Sequence, residues 1–83
     1  MLKEYLEIYN SKIYCSPIHS TMDFFTLYIE QIEGPSAEIK LKMPSMELIR
    51  ISGLWDKDNL DKIKKYINNN KDDLISFAKE IKK

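Results

Sequence analysis

Residues 37–43 have the sequence Ala-Glu-Ile-Lys-Leu-Lys-Met, in which apolar and charged side chains alternate strictly. Because successive side chains of a strand point to opposite faces of a sheet, this pattern predicts a strand with one buried and one solvated face. Turn-forming residues bound it, with Gly34-Pro35-Ser36 before it and Pro44-Ser45 after it. The middle of the chain is therefore expected to form a sheet.

The neighbouring segments extend this sheet in both directions. Residues 22–33 also alternate, with Phe25, Leu27 and Ile29 on one face and Phe24, Thr26 and Tyr28 on the other. Because both faces carry aromatic side chains, we expect a central strand that is partly covered on each side. Residues 46–51 predict a further strand, in which the adjacent Leu48 and Ile49 break the alternation. Short turns between these strands indicate an antiparallel meander.

The N-terminal segments are less decisive. Residues 12–15 are compatible with a short strand, closed by Ser16-Pro17. Residues 2–9 fit either structure, since their apolar positions satisfy both a helical spacing and a partial alternation. Tyr and Ile favour strands, so we prefer a strand here and keep a helix as the alternative.

The last third of the chain is predicted to be helical. Asp56 is a suitable N-cap, and an apolar stripe follows it, formed by Leu60, Ile63, Ile67, Leu74, Phe77, Ala78 and Ile81. The run of three asparagines at 68–70 favours two helices that meet near residues 68–71. A seven-residue spacing within the stripe leaves one continuous helix as the alternative. We predict a single α+β domain over residues 1–83, an antiparallel meander of three to four strands packed against one or two C-terminal helices.

Composition limits the classes of function. The chain has 83 residues, and its 13 basic and 13 acidic side chains cancel, which argues against a strong electrostatic attraction to nucleic acid or acidic lipid. No apolar run approaches the ~20 residues needed to cross a bilayer, and the N-terminus does not resemble a signal peptide. A single cysteine excludes an internal disulfide and fits a reducing compartment. We therefore expect a cytoplasmic protein without membrane association.

The order of motifs in the last two-thirds is similar to a known family. Residues 33–41, Glu-Gly-Pro-Ser-Ala-Glu-Ile-Lys-Leu, precede a turn, a second strand and the helical segments at 58–67 and 70–77. This arrangement resembles an uncharacterised bacterial family of small proteins, domain of unknown function 4160, over roughly residues 19–80. The resemblance implies a small regulatory or interaction protein, of a family often encoded beside a partner in candidate toxin–antitoxin pairs. The family's Pro-His-x-His-Val strand is absent, and only His19 stands near its place.

No catalytic or metal constellation is predicted. Cys15 and His19 lack a third group that would orient a base, and no second Cys or His exists to complete a structural zinc site. The carboxylate pairs at 56/58 and 72/73 fall at predicted helix N-termini, where the helix dipole explains them. The two glycines are too far apart to form a phosphate-binding loop. We expect a non-enzymatic protein without cofactor or metal.

Two groups of side chains are candidates for binding. Six of the first 28 residues are aromatic, and a sheet with one helical layer cannot bury both its faces, so Tyr14, Phe24 and Tyr28 are the candidate interaction residues. Lys57, Lys64 and Lys71 recur at seven-residue spacing and predict a basic strip on the helices. The first hypothesis is a protein-interaction protein that binds a partner or a second copy through the sheet. The alternatives are a toxin-like effector acting on nucleic acid through the lysines and tyrosines, and a small-molecule-binding protein with a pocket between aromatics and helix.

Overall fold

The computed structural model describes residues 2–18 and 24–81, which form one antiparallel sheet and two helices. The strands are β1 (Lys3–Ile8), β2 (Ser11–Cys15), β3 (Phe25–Gln31), β4 (Ala37–Met43) and β5 (Glu47–Gly53). They lie side by side in chain order, and each pairs antiparallel with the next. The helices α1 (Lys57–Asn69) and α2 (Lys71–Glu80) follow. The α+β class, the meander and the C-terminal position of the helices are confirmed.

The strand count is higher than predicted, since the described residues contain five strands rather than three to four. The difference comes from the N-terminal segments, which form a hairpin between β1 and β2. Its turn holds Tyr9 and Asn10 at φ values of 52° and 57°. Two consecutive positive φ values match the twist of paired strands, so a two-residue turn suffices here. The preference for a strand over a helix at residues 2–9 is thereby confirmed.

The core lies between the helices and one face of the sheet. The buried apolar side chains are Ile13, Cys15, Phe25, Leu27, Ile29, Ile39, Leu41 and Met43 from the strands, and Ile63, Ile67, Leu74, Ala78 and Ile81 from the C-terminal segment. The predicted helical stripe is therefore core, with Leu60 and Phe77 packed at its margin. The Tyr5 ring meets Phe77 edge-on, with ring centroids 4.9 Å apart.

Two helices form and meet at Asn70, which confirms the preference for two helices over one continuous helix. Asp56 caps α1, because its Oδ1 accepts a hydrogen bond of 3.1 Å from the Asn59 backbone N–H. At the junction the Asn70 backbone N–H donates to the Ile67 carbonyl at 3.2 Å, and its Nδ2 donates to the Tyr66 carbonyl at 2.8 Å. Asn70 thus satisfies carbonyls at the end of α1, which are otherwise left without partners. Neither helix in the described segments is long and apolar enough to cross a membrane.

The helices cover only one face of the sheet and do not extend over β5. β3 is central, as predicted: one of its faces is buried under the helices, and the other, with Thr26 and Tyr28, is half-buried and has no second layer. We call this the open face; it carries Lys12, Tyr14, Thr26, Tyr28, Glu30, Glu38, Lys40, Lys42 and Arg50. The break in alternation at Leu48 and Ile49 appears as a register shift of β5 against β4.

Candidate functional site

The open face brings together two of the three aromatic residues singled out in the sequence. Tyr14 on β2 and Tyr28 on β3 are register partners, and their ring centroids lie 6.0 Å apart at an interplanar angle of 53°. The Tyr14 hydroxyl donates a 3.0 Å hydrogen bond to the Glu30 carboxylate. This hydrogen bond raises the pKa of Tyr14 above its ordinary value, so the phenol stays neutral and its ring is held in place.

Phe24, the third aromatic residue, lies at the margin of the same face. It precedes β3 and is 37% exposed. The Lys42 Nζ sits 4.7 Å from its ring centroid, a cation–π distance. Phe24 is therefore a separate, more exposed apolar contact point beside the tyrosine pair.

A groove runs across the open face next to Tyr28. It has a volume of about 400 Å³, and its lining includes Leu2, Thr26, Tyr28, Glu38, Lys40 and Arg50. Most of the surface that lines the groove is apolar, although Glu38, Lys40 and Arg50 are among the lining residues. By contrast, the space between sheet and helices is filled by the core. A groove of this kind accepts an apolar side chain of a ligand more readily than a charged, hydrated side chain.

The open face carries charges of both signs. Four basic side chains, Lys12, Lys40, Lys42 and Arg50, share the face with Glu4, Glu7, Glu30, Glu38 and Glu47. Arg50 lies 3.7 Å from Glu38, and Lys12 lies 3.9 Å from Glu4 and 3.7 Å from Glu7. These pairs are solvent-exposed and contribute little to stability. They do give the face a mixed electrostatic pattern rather than a single sign.

Sequence reasoning missed the contribution of Arg50 to this face. Its position depends on the register shift in β5, which places Arg50 opposite Lys40 and on the same side as Tyr28. The adjacent Leu48 and Ile49 signalled an irregular strand but not the face on which Arg50 would lie.

The predicted basic strip lies on the other side of the molecule. Lys57 and Lys64 are exposed on α1, and Lys71 is the half-buried first residue of α2. Both helices pack on the face of the sheet opposite to the tyrosine pair. The lysine strip and the tyrosines therefore do not form one continuous surface. The nucleic-acid hypothesis required both groups to act together.

Cys15 is a core residue at the end of β2. It is fully buried, and burial raises the pKa of its thiol from 9.0 to about 12. A thiol in such surroundings stays protonated and is a poor nucleophile. His19, its suggested partner, lies outside the described residues. Within residues 2–18 and 24–81 no three His, Cys, Asp or Glu side chains are grouped to hold a metal ion.

We expect Cys15 to react slowly with alkylating reagents in the folded protein. Raising the thiol pKa from 9.0 to about 12 lowers the thiolate fraction at pH 8 about 1000-fold, and burial hinders access further. Iodoacetamide labelling followed by mass spectrometry, with and without urea, measures the ratio of the Cys15 labelling rates in the unfolded and the folded chain. Equal rates in the two conditions would contradict the buried position of Cys15.

No known family, curated protein or solved structure matches this chain. The functional proposal therefore rests on the geometry of the open face.

Proposed function

We propose that this protein is a non-catalytic interaction domain that binds a partner protein through the open face of its sheet. The observation that carries the proposal is the Tyr14–Tyr28 pair beside an apolar groove, on a face that no other layer covers. Tyrosine is enriched at protein interfaces because it offers a rigid apolar ring and a polar tip. Phe24 adds an exposed ring at the margin of the face.

The charge pattern favours a protein partner. Charges of both signs, Glu38, Lys40 and Arg50, line the groove, and Glu30 is hydrogen-bonded to Tyr14 itself. A partner with interleaved charges can complement such a border, and mixed charges at a rim set orientation and specificity. Apolar burial in the groove would supply most of the affinity, with Tyr28 as the central contact.

A nucleic-acid-binding effector is the second candidate. Four basic side chains share the open face with the rings of Tyr14 and Tyr28, on which bases could stack. Bases stack on exposed aromatic rings in many single-strand-binding proteins. Here the nearby Glu30 and Glu38 would repel a phosphate backbone, and Arg50 is already paired with Glu38. The protein partner is therefore preferred.

A small-molecule ligand in the groove is the third candidate, because about 400 Å³ is within the usual range of ligand sites.

We propose a setting for this interaction from the sequence alone. The resemblance to domain of unknown function 4160 supports a small regulatory protein in a toxin–antitoxin-like bacterial pair, whose partner would be encoded nearby. The single cysteine, carried as a buried free thiol, supports a reducing cytoplasm.

The proposal is tested by affinity capture with variant baits from the native cell. We expect wild type and Lys64→Glu to retain the same partner protein, and Tyr28→Ser to lose at least nine-tenths of it. Lys64→Glu is the control because it changes an exposed helical residue on the opposite side. Retention by Tyr28→Ser of the wild-type amount, with the fold verified by circular dichroism, would contradict the proposal. Loss of the captured material on nuclease treatment would instead support the nucleic-acid candidate.

A further inference from the structure

The helical layer ends before the last strand of the sheet. Leu48 of β5 lies on the helix side of the sheet, because its register partner is the core residue Leu41. Ile51 lies there for the same reason, since it pairs with Ile39. The two β4 residues are only 4% and 2% exposed, whereas Leu48 is 51% and Ile51 48% exposed. One strand of the hydrophobic face is therefore left open, and we call Leu48 and Ile51 the uncovered strip.

Helix α1 borders the uncovered strip. Only residues 54–56 connect β5 to α1, so the helix starts beside the strand. The other helix lies over the N-terminal hairpin: α2 contacts β2, and its Phe77 meets the Tyr5 ring of β1. Because a helix is about 10 Å across, α1 forms the wall of a step, and the uncovered strip forms its floor.

The flank of α1 that faces this step is basic. The opposite flank faces the hairpin, because the Lys62 Nζ lies 5.7 Å from the centroid of the Tyr9 ring. Ile63, between the two flanks, points into the core. At about 100° per residue, Lys57 and Lys64 fall on the other side of Ile63 from Lys62, towards β5. Both lysines are exposed, and neither forms a salt bridge within the described part of the chain.

We propose that this step is the docking site for an acidic amphipathic helix of a partner protein, which extends the helical layer over β5. The apolar stripe of that helix packs on the uncovered strip, and its carboxylates meet Lys57 and Lys64. Helices dock on apolar surfaces in this manner through side chains that share one face. The step lies on the side of the sheet opposite to the open face, so the inference does not depend on the function proposed there.

Depth and charge select this occupant. A flat bilayer surface cannot reach a floor about 10 Å below the top of α1, whereas a second helix has the same diameter as that wall. A nucleic acid would satisfy the lysines but would set its phosphates against the uncovered strip. A second copy of this chain would bring another basic flank, and like charges across an interface repel. Asp61 lies about 160° from Ile63 round α1, towards solvent, and does not neutralise the step.

Fluorescence anisotropy with a labelled model peptide tests the site. The probe is a helical peptide of about 18 residues, or about 27 Å, with leucines along one face and glutamates on both flanks. We expect saturable binding, and a dissociation constant at least about tenfold higher when lysines replace the glutamates, because like charges then face α1. Absence of binding by the acidic peptide, or equal binding of the two peptides, would overturn the proposal.

Paired variants of the protein locate the binding. Ile51→Ser should raise the dissociation constant for the acidic peptide at least about tenfold. Ile32→Ser is its control, because Ile32 is also 48% exposed but lies outside β5. Lys64→Glu should weaken binding, whereas Lys62→Glu, on the opposite flank of α1, should leave it unchanged. Equal effects within either pair of variants would contradict the assigned position.

Two measurements on wild type and Ile51→Ser address the other occupants. Sedimentation velocity compares their association, and flotation with phosphatidylglycerol vesicles compares their binding to acidic lipid. We expect the substitution to change neither the sedimentation coefficient nor the vesicle-bound fraction. A dimer that Ile51→Ser dissociates would assign the uncovered strip to a second copy, and vesicle binding that Ile51→Ser abolishes would assign it to lipid. Either result would overturn the proposal of a partner helix.

Discussion

Replacing Ile67 with alanine is expected to lower the free energy of unfolding by about 2–4 kcal/mol, through lost apolar burial and a residual cavity. Ile67 is fully buried on α1 and belongs to the cluster that joins the helices to the sheet. Urea denaturation followed by circular dichroism measures the change. A loss of this size is a large part of the stability of a small domain, which is typically about 5–15 kcal/mol.

Ile32→Ala is the control for this substitution. Ile32 is 48% exposed, so its truncation removes much less buried surface and leaves no enclosed cavity. We expect its effect to be under about 1 kcal/mol. A loss below about 0.5 kcal/mol for Ile67→Ala would mean that the helical stripe faces solvent and would contradict the packing described here.

The second large effect is expected for Gly53→Ala at the end of β5. Gly53 has a φ of +83°, and an added Cβ would overlap the Ser36 carbonyl oxygen and lie 2.5 Å from the Ala37 Cα. These are backbone atoms, so the two strands must separate locally. Backbone strain and overpacking together predict a loss of about 2–5 kcal/mol, measured as a change in the urea midpoint.

Gly34→Ala is the comparison variant that separates the cost of a positive φ from the cost of the clash between the added Cβ and the backbone. Gly34 has a similar φ of +96°, but its added Cβ would meet only the Gln31 Nε2 at 3.7 Å, an ordinary contact. We expect about 1–2 kcal/mol here, from the left-handed backbone alone. Equal losses for the two variants would show that the close approach of β4 and β5 at Gly53 is absent.

The parts of the fold that local pattern determines were predictable from the sequence. The alternation at residues 37–43 specified β4 with the observed bounds, and the apolar stripe identified the buried positions Ile63, Ile67 and Leu74. Asp56 was recognisable as a cap because its side chain acts on a backbone N–H only three residues away. The β1–β2 hairpin was less clear, since a Tyr-Asn turn lacks the glycine that usually marks positive φ.

The candidate site was predictable only in part, because it depends on contacts between distant segments. Tyr14 and Tyr28 were identified as residues, but their pairing follows from the register of β2 on β3, which local pattern does not specify. The place of Arg50 depends on the irregularity in β5. The separation of the lysine strip from the tyrosines follows from the packing of the helices on one face.

The most direct test of the open face as a protein-binding surface is the salt dependence of partner retention by the tagged chain. The captured partner is quantified from low salt to roughly half-molar salt, where the Debye length falls to about 4 Å. We expect retention to change less than about twofold, because burial around Tyr28 and Phe24 drives binding and is insensitive to screening. A steep loss with rising salt, as counterion release from phosphates produces, would contradict this account.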